Sequence, residues 1–143
     1  MRVVKSFEEF IEDGTIKKIT ADRERAKSLV SEAERKFTSL QEISKKMGIS
    51  NDNANDYIEY CYNIVMFLIR AAMFESGYTS SGQGAHEAEV AFTRMLRFSE
   101  AEIQFLDQLR YFRNGILYYG KRFDKEYAEK VIDFTKKIYK RLK

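Results

Sequence analysis

The chain has 143 residues, 44% apolar and 33% charged, with a formal net charge of +3. That length suits one domain with its own core and is too short for two comfortable ones, and the apolar share excludes an intrinsically disordered chain. There is no proline, so long uninterrupted helices are permitted. The single cysteine, Cys61, cannot form an internal disulfide; it stands among apolar residues and reads as a buried free thiol, which fits a reducing cytoplasm. One His and one Cys do not supply a structural zinc site, and no residue pattern calls for a metal or another cofactor. The N-terminus MRVVKSFEEF carries acids where a secretory signal has an apolar core. The most apolar run, IVMFLIRAAMF at 64–74, is short for a bilayer span and contains Arg70. The expectation is a cytoplasmic protein whose apolar run is a core helix, with no membrane association.

In chain order, Ser6 with Glu9 forms a capping box for a short helix at about 6–13, ended by Asp13-Gly14. Thr20 is expected to cap a long helix with Asp22 and Glu24 in its first turn. Ala26, Leu29, Ala33, Phe37, Leu40 and Met47 recur at helical steps as one apolar face, and Gly48 stops the helix. NDNAND at 51–56 is a cap region for the next helix, which runs to about Phe74. That helix has two stripes: Tyr57, Tyr60, Ile64, Phe67, Ala71 and Phe74, and beside them Ile58, Cys61, Val65, Leu68 and Ala72. Two stripes mean a helix covered on both sides, central in a bundle or also meeting a partner subunit.

GYTSSGQG at 77–84 reads as a loop, followed by a helix from about 85 to 96. Ser99 with Glu102 is a second capping box, and Asp124 caps the last helix, where Tyr127, Val131, Phe134, Ile138 and Leu142 face inward. Strand signals are absent. The fold class expected is all-α: a single domain over residues 1–143, built as a mostly antiparallel up-and-down bundle of about five helices.

Charge is unevenly spread. Residues 110–143 carry 11 Lys/Arg against 4 Asp/Glu, and residues 1–109 carry 14 against 18, so a basic C-terminal third (+7) offsets an acidic remainder (−4). The basic third either meets phosphate or is the solvated face of the last helix.

The residues with most chemical content lie in RYFRNGILYYG, 110–120. On a helical wheel Leu106, Leu109 and Leu117 fall within roughly 40° of Arg113. Arg113 therefore sits in the middle of an apolar face, where a charge is costly unless it is paired or opens onto a polar cleft. One reading is an interhelical ion pair with an acid such as Glu75 or Glu87. The other is an anion-facing arginine in a cleft.

The stretch RNGILYYG, late in an all-α chain of this length, resembles the HEPN family of small helical proteins, whose signature is R-N-x-x-x-H, often continuing to x-Y. Arg113 and Asn114 match it. The preceding LRYF, the basic helix that follows, and the helix order from about residue 20 onward are also similar. The family histidine falls on Tyr118; its later tyrosine falls on Gly120, with Tyr119 one place early. The resemblance implies a homodimer with a shared cleft, in which Arg113 and Asn114 hold a phosphate of RNA or of a nucleotide. Active members are metal-independent endoribonucleases, some of them toxins paired with a small nucleotidyltransferase, which makes such a partner an expectation here as well.

A guanidinium keeps its charge and grips phosphate bidentately, so Arg113 retains that capacity. A phenol, with pKa ~10 against ~6.5 for imidazole, is a poor base at neutral pH, so Tyr118 suits binding or stacking rather than proton transfer. The reading is a phosphate-binding site with a degenerate catalytic motif.

Gly115 gives the helix room to loosen where the motif lies; in an ideal helix Tyr118 points roughly 140° away from Arg113. His86, in GQGAHEAEV, is the one imidazole and the backup acid–base group, or else a histidine near a helix cap. SSGQG offers backbone N–H groups but lacks the P-loop lysine. Arg70 either pairs with Glu59 or Glu75 or joins Arg113 at a phosphate cleft. Tyr57, Tyr60 and Tyr62 either stack bases or pack the core. Three functions follow: a degenerate HEPN-like RNA- or nucleotide-binding homodimer, an active endoribonuclease using His86, or a structural or partner-binding bundle with Arg113 in an ion pair.

Overall fold

The computed structural model describes residues 3–143. Its elements in order are α1 (Phe7–Glu12), β1 (Ile16–Lys18), α2 (Arg23–Met47), α3 (Ala54–Glu75), β2 (Tyr78–Ser80), α4 (Ala85–Phe92), a 3₁₀ turn (Thr93–Leu96), α5 (Glu100–Tyr119) and α6 (Lys125–Leu142). The all-α bundle is as expected, with six α-helices among the described residues rather than about five.

Side-chain pairs set the helix directions. The starts of α3 and α6 lie together: Asn51 Oδ1 accepts from the Lys125 N–H at 2.8 Å and Asn55 Oδ1 from the Phe123 N–H at 3.0 Å. These two helices therefore run the same way. α2 runs against α6, since Phe37 stacks on Tyr139 with ring centroids 3.8 Å apart and Glu34 pairs with Lys143. α5 also opposes α6, because Glu102 in its first turn takes Arg141 from the last turn of α6. The four long helices thus alternate up and down, with α4 packed across α3 and α5.

α3 is the centre. Ile58, Cys61, Tyr62, Ile64, Val65, Met66, Leu68, Ile69 and Met73 are all buried, as two apolar stripes require. At 22 residues it is long and apolar enough to cross a bilayer, longer than the 64–74 run suggested, and 67% of its most apolar window is buried inside the molecule. Burial pushes the Cys61 thiol up to about 12, so it is an inert core group. Tyr57 and Tyr62 are buried and Tyr60 half-buried: these tyrosines pack the core.

Local capping follows the residues closely. Both capping boxes form, Asp124 caps α6 through the Tyr127 N–H, and Gly48 ends α2. Several expectations need correction. Asp22, not Thr20, caps α2: its carboxylate accepts from the Arg25 N–H, and its own N–H is tied to Phe74 O at 2.9 Å. Met47 is exposed, two turns beyond Leu40, the last buried residue of α2. The helix from 85 stops at Phe92 and tightens into a 3₁₀ turn.

Within residues expected to be strand-free, β1 and β2 pair antiparallel, Ile16 opposite Ser80 and Lys18 opposite Tyr78. Three-residue strands are too short for alternation to show. The ribbon hinges on Gly77, at φ +83°, whose N–H donates to Phe74 O at 3.2 Å and whose O accepts from the Ile19 N–H at 2.8 Å. A Cβ there would lie 2.8 Å from Ile19 O, so only glycine fits.

Glu102 ties α5 to α6. It is 8% exposed and accepts from Arg141 Nη1 and Nη2 at 2.9 and 2.7 Å, from Lys137 at 2.8 Å and from the Ser99 N–H at 2.9 Å. The Arg141 hydrogen bonds, set against burial and helped by Lys137 and Ser99, hold its carboxyl well below the usual carboxylate range. A depressed folded pKa stabilises the fold fully above the unfolded value, about 4.3, and the gain is lost as pH falls below it. Glu102→Gln is expected to cost about 2 kcal/mol at pH 7 and to lower Tm by roughly 4–8 °C. In paired thermal melts from pH 7 to pH 3 the gap to the wild type should be constant above about pH 4.3 and narrow steadily below it; a gap independent of pH would mean that the carboxylate charge is not its source.

Candidate functional site

α5 is unbroken through Tyr119, so Gly115 does not loosen it. Gly120 is instead left-handed at φ +63° and turns the chain back, so that the Lys121 N–H donates to Gly115 O at 3.2 Å. The Lys121 side chain then lies across Gly115, where a Cβ would come 3.3 Å from Lys121 Cδ.

The four signature positions point in different directions. Arg113 is half-buried with its guanidinium carbon 5.2 Å from the Tyr62 ring centroid. Its Nε is buried without a hydrogen-bond partner, and among the described residues no ion pair joins it to an acid. The anticipated pair with Glu75 or Glu87 is replaced by this cation–π contact. Asn114 and Tyr119 line a separate cleft of about 380 Å³ with Tyr111, Phe112, Lys121 and Arg122. Tyr118 is 74% exposed and projects into solvent. The stripe around Arg113 also ends sooner than the wheel implied: Leu106 and Leu109 are fully buried, but Leu117 is 46% exposed.

Tyr62 is the meeting point of the buried charges. Burial first, then the negative charge of Glu89, push its phenol up to about 12, against the pull of Arg70, Arg113 and Arg110. Arg70 is spoken for: Nε donates to Glu89 Oε2 at 2.7 Å and Nη2 to Oε1 at 3.3 Å. Arg110 is too: its Nε donates to buried Asp107 at 3.0 Å, while Nη2 lies equally close to the same oxygen without the angle for a bond. Three guanidiniums and the Glu89 carboxylate act on the ring; Arg70 and Arg110 each hold an acid, and Arg113 is the cation left over.

His86, the backup acid–base group, meets Arg70 and Glu89. Its Nδ1 lies 3.1 Å from Glu89 Oε1 and 3.2 Å from Arg70 Nη2. An ionised carboxylate only accepts and a guanidinium only donates, so Nδ1 cannot serve both at once. With Nδ1–H on Glu89, the Nε2 edge is free. Burial raises the Glu89 pKa, and the hydrogen bonds from His86 and Arg70 outweigh it, so the carboxyl is held below its ordinary value. Glu89, missed in the sequence, was visible as an acid inside the apolar run AEVAF, three residues after His86. Tyr62 and Arg110 carried no comparable signal.

Compared with models of known protein families, with curated proteins and with solved structures, the chain matches none.

Glu89 is 3% exposed, so its loss would strand Arg70 without a counter-charge. Glu89→Ala is expected to cost about 2–4 kcal/mol in urea unfolding. The double change Arg70→Met with Glu89→Leu should recover most of that; a double variant as unstable as the sum of the singles would show the pair to be uncoupled.

Proposed function

We propose that this chain is a HEPN-like homodimeric module that binds RNA or a nucleotide through Arg113, with a degenerate catalytic motif. The observation that carries the reading is the uncompensated guanidinium of Arg113. It is fixed on Tyr62, partly dehydrated, and among the described residues no acid pairs with it. A phosphate supplies the missing charge and the missing acceptor together. Arg122 and Lys121 beside Asn114 and Tyr119 extend the positive surface past the end of α5, and the exposed rings of Tyr118 and Tyr119 suit base stacking.

Dimerisation along α5 is supported by apolar surface that its own chain leaves open. Tyr111 and Leu117 are exposed large side chains on one helix. Phe105, Tyr111 and Phe112 border a further groove of about 560 Å³ on the same helix. A second copy would cover the groove and Tyr111, on the side of α5 away from Arg113.

A second reading, a metal-independent endoribonuclease paired with a small nucleotidyltransferase, is favoured by one observation. His86 is 55% exposed on its side chain, is oriented by Glu89 and has a free ring edge, as a general acid–base group requires.

The test is fluorescence anisotropy of a labelled single-stranded RNA in EDTA, with a gel of the same samples for cleavage. Binding should weaken with salt, and Arg113→Ala should reduce affinity at least tenfold and flatten the salt slope by about 0.7. Unchanged affinity in Arg113→Ala would sink the binding reading. Cleavage lost in His86→Ala would replace it with the second.

A further inference from the structure

A different cleft, of about 410 Å³, opens between α2, β2 and α4. None of the α5 motif residues lines it. On one side are Arg70 and His86, held from beneath by Glu89; on another is Arg25, which reaches over from α2. The guanidinium carbon of Arg25 lies 4.3 Å from the Phe74 ring centroid. That stacking fixes the cation at the cleft, and no ion pair joins it to an acid among the described residues. Thr79 and Ser80 add hydroxyls from the β-ribbon. Leu29, Met73, Phe74 and Tyr78 form an apolar wall.

We infer that this cleft binds a small phosphorylated molecule with a flat apolar body, its phosphoryl group between Arg25, Arg70 and His86. The argument is one of charge, donors and shape. The single carboxylate of the cleft, Glu89, is 3% exposed and already engaged by Arg70 and His86, so it presents little free negative charge to a ligand. Arg25 contributes an unneutralised cation. Arg70 uses Nε and Nη2 on Glu89 and keeps Nη1 for another acceptor. Guanidiniums on two different elements, with the hydroxyls of Thr79 and Ser80, supply more donors than a carboxylate ligand has acceptors, and a phosphoryl group has three terminal oxygens to use them; His86, with Nδ1–H on Glu89, donates to it through Nε2 as the imidazolium. The volume falls in the range of small-molecule sites, and the apolar wall beside polar groups is their usual composition. The ligand class is that of a mononucleotide, whose base would lie on the Leu29, Met73 and Tyr78 side.

The inference does not rest on Arg113, and the experiment separates the two. Binding of AMP, inorganic phosphate and adenosine is measured by isothermal titration to the wild type and to Arg25→Ala, His86→Ala and Arg113→Ala. Arg25 and His86 are exposed and outside the core, so both variants are expected to fold; melts of each confirm it, and either one suffices for the test. AMP should bind more tightly than phosphate or adenosine. Arg25→Ala and His86→Ala should each weaken AMP at least tenfold. No AMP or phosphate binding to the wild type overturns the inference. So does AMP binding that survives both cleft variants. AMP binding lost only in Arg113→Ala overturns it while supporting the α5 reading.

Discussion

Burial of most of α3 is the constraint from which the remaining structure follows. Its two apolar stripes need cover from α2, α5 and α6, while a strip through Asp56, Glu59, Asn63, Phe67 and Arg70 keeps some exposure. The one basic residue it carries, Arg70, cannot be left unpaired near the dry end of that helix. The acid that answers it comes from α4, nineteen residues on, and α4 buries Glu89 together with Ala88, Val90, Ala91 and Phe92. The short helix is thus placed by a charge as much as by its apolar side chains. The β-ribbon before it and the 3₁₀ turn after it are the connections that this placement demands.

What was legible in the sequence was what is local. Capping boxes at Ser6 and Ser99 join residues three apart, and Asp124 and Gly48 act within one turn, so pattern alone locates them. The stripes of α3 and α6 are equally local, because period and burial coincide there. The failures are all non-local. Thr20 had the right chemistry for a cap, but the hydrogen bond from Asp22 to Phe74 pins the chain two residues later. The Arg70 partner was sought among near neighbours, Glu59 and Glu75, whereas the bundle delivers Glu89. The ribbon of β1 and β2 depends on Gly77 lying against Ile19, a contact between segments nearly sixty residues apart.

Arg113 shows a subtler limit. The helical wheel correctly placed it on the stripe of Leu106 and Leu109. It did not show that the stripe outruns its partners, leaving Leu117 in solvent. Nor did it show that the guanidinium would settle on a ring. A search restricted to acids misses an aromatic face, although a cation–π contact contributes about 0.5–2 kcal/mol.

The comparison between Arg70 and Arg113 carries the functional argument. Both are half-buried guanidiniums close to the same Tyr62 ring. Arg70 has a bidentate carboxylate, and in that state it completes the fold. Arg113 has only the ring, which attracts the cation but accepts no conventional hydrogen bond in the guanidinium plane, so its buried Nε stays unsatisfied. If the role of Arg113 were stability alone, a leucine in line with Leu106 and Leu109 would bury more apolar surface and leave no orphan donor. A cation retained at that cost, next to the exposed apolar end of α5, fits a group whose partner is an anion from outside the chain.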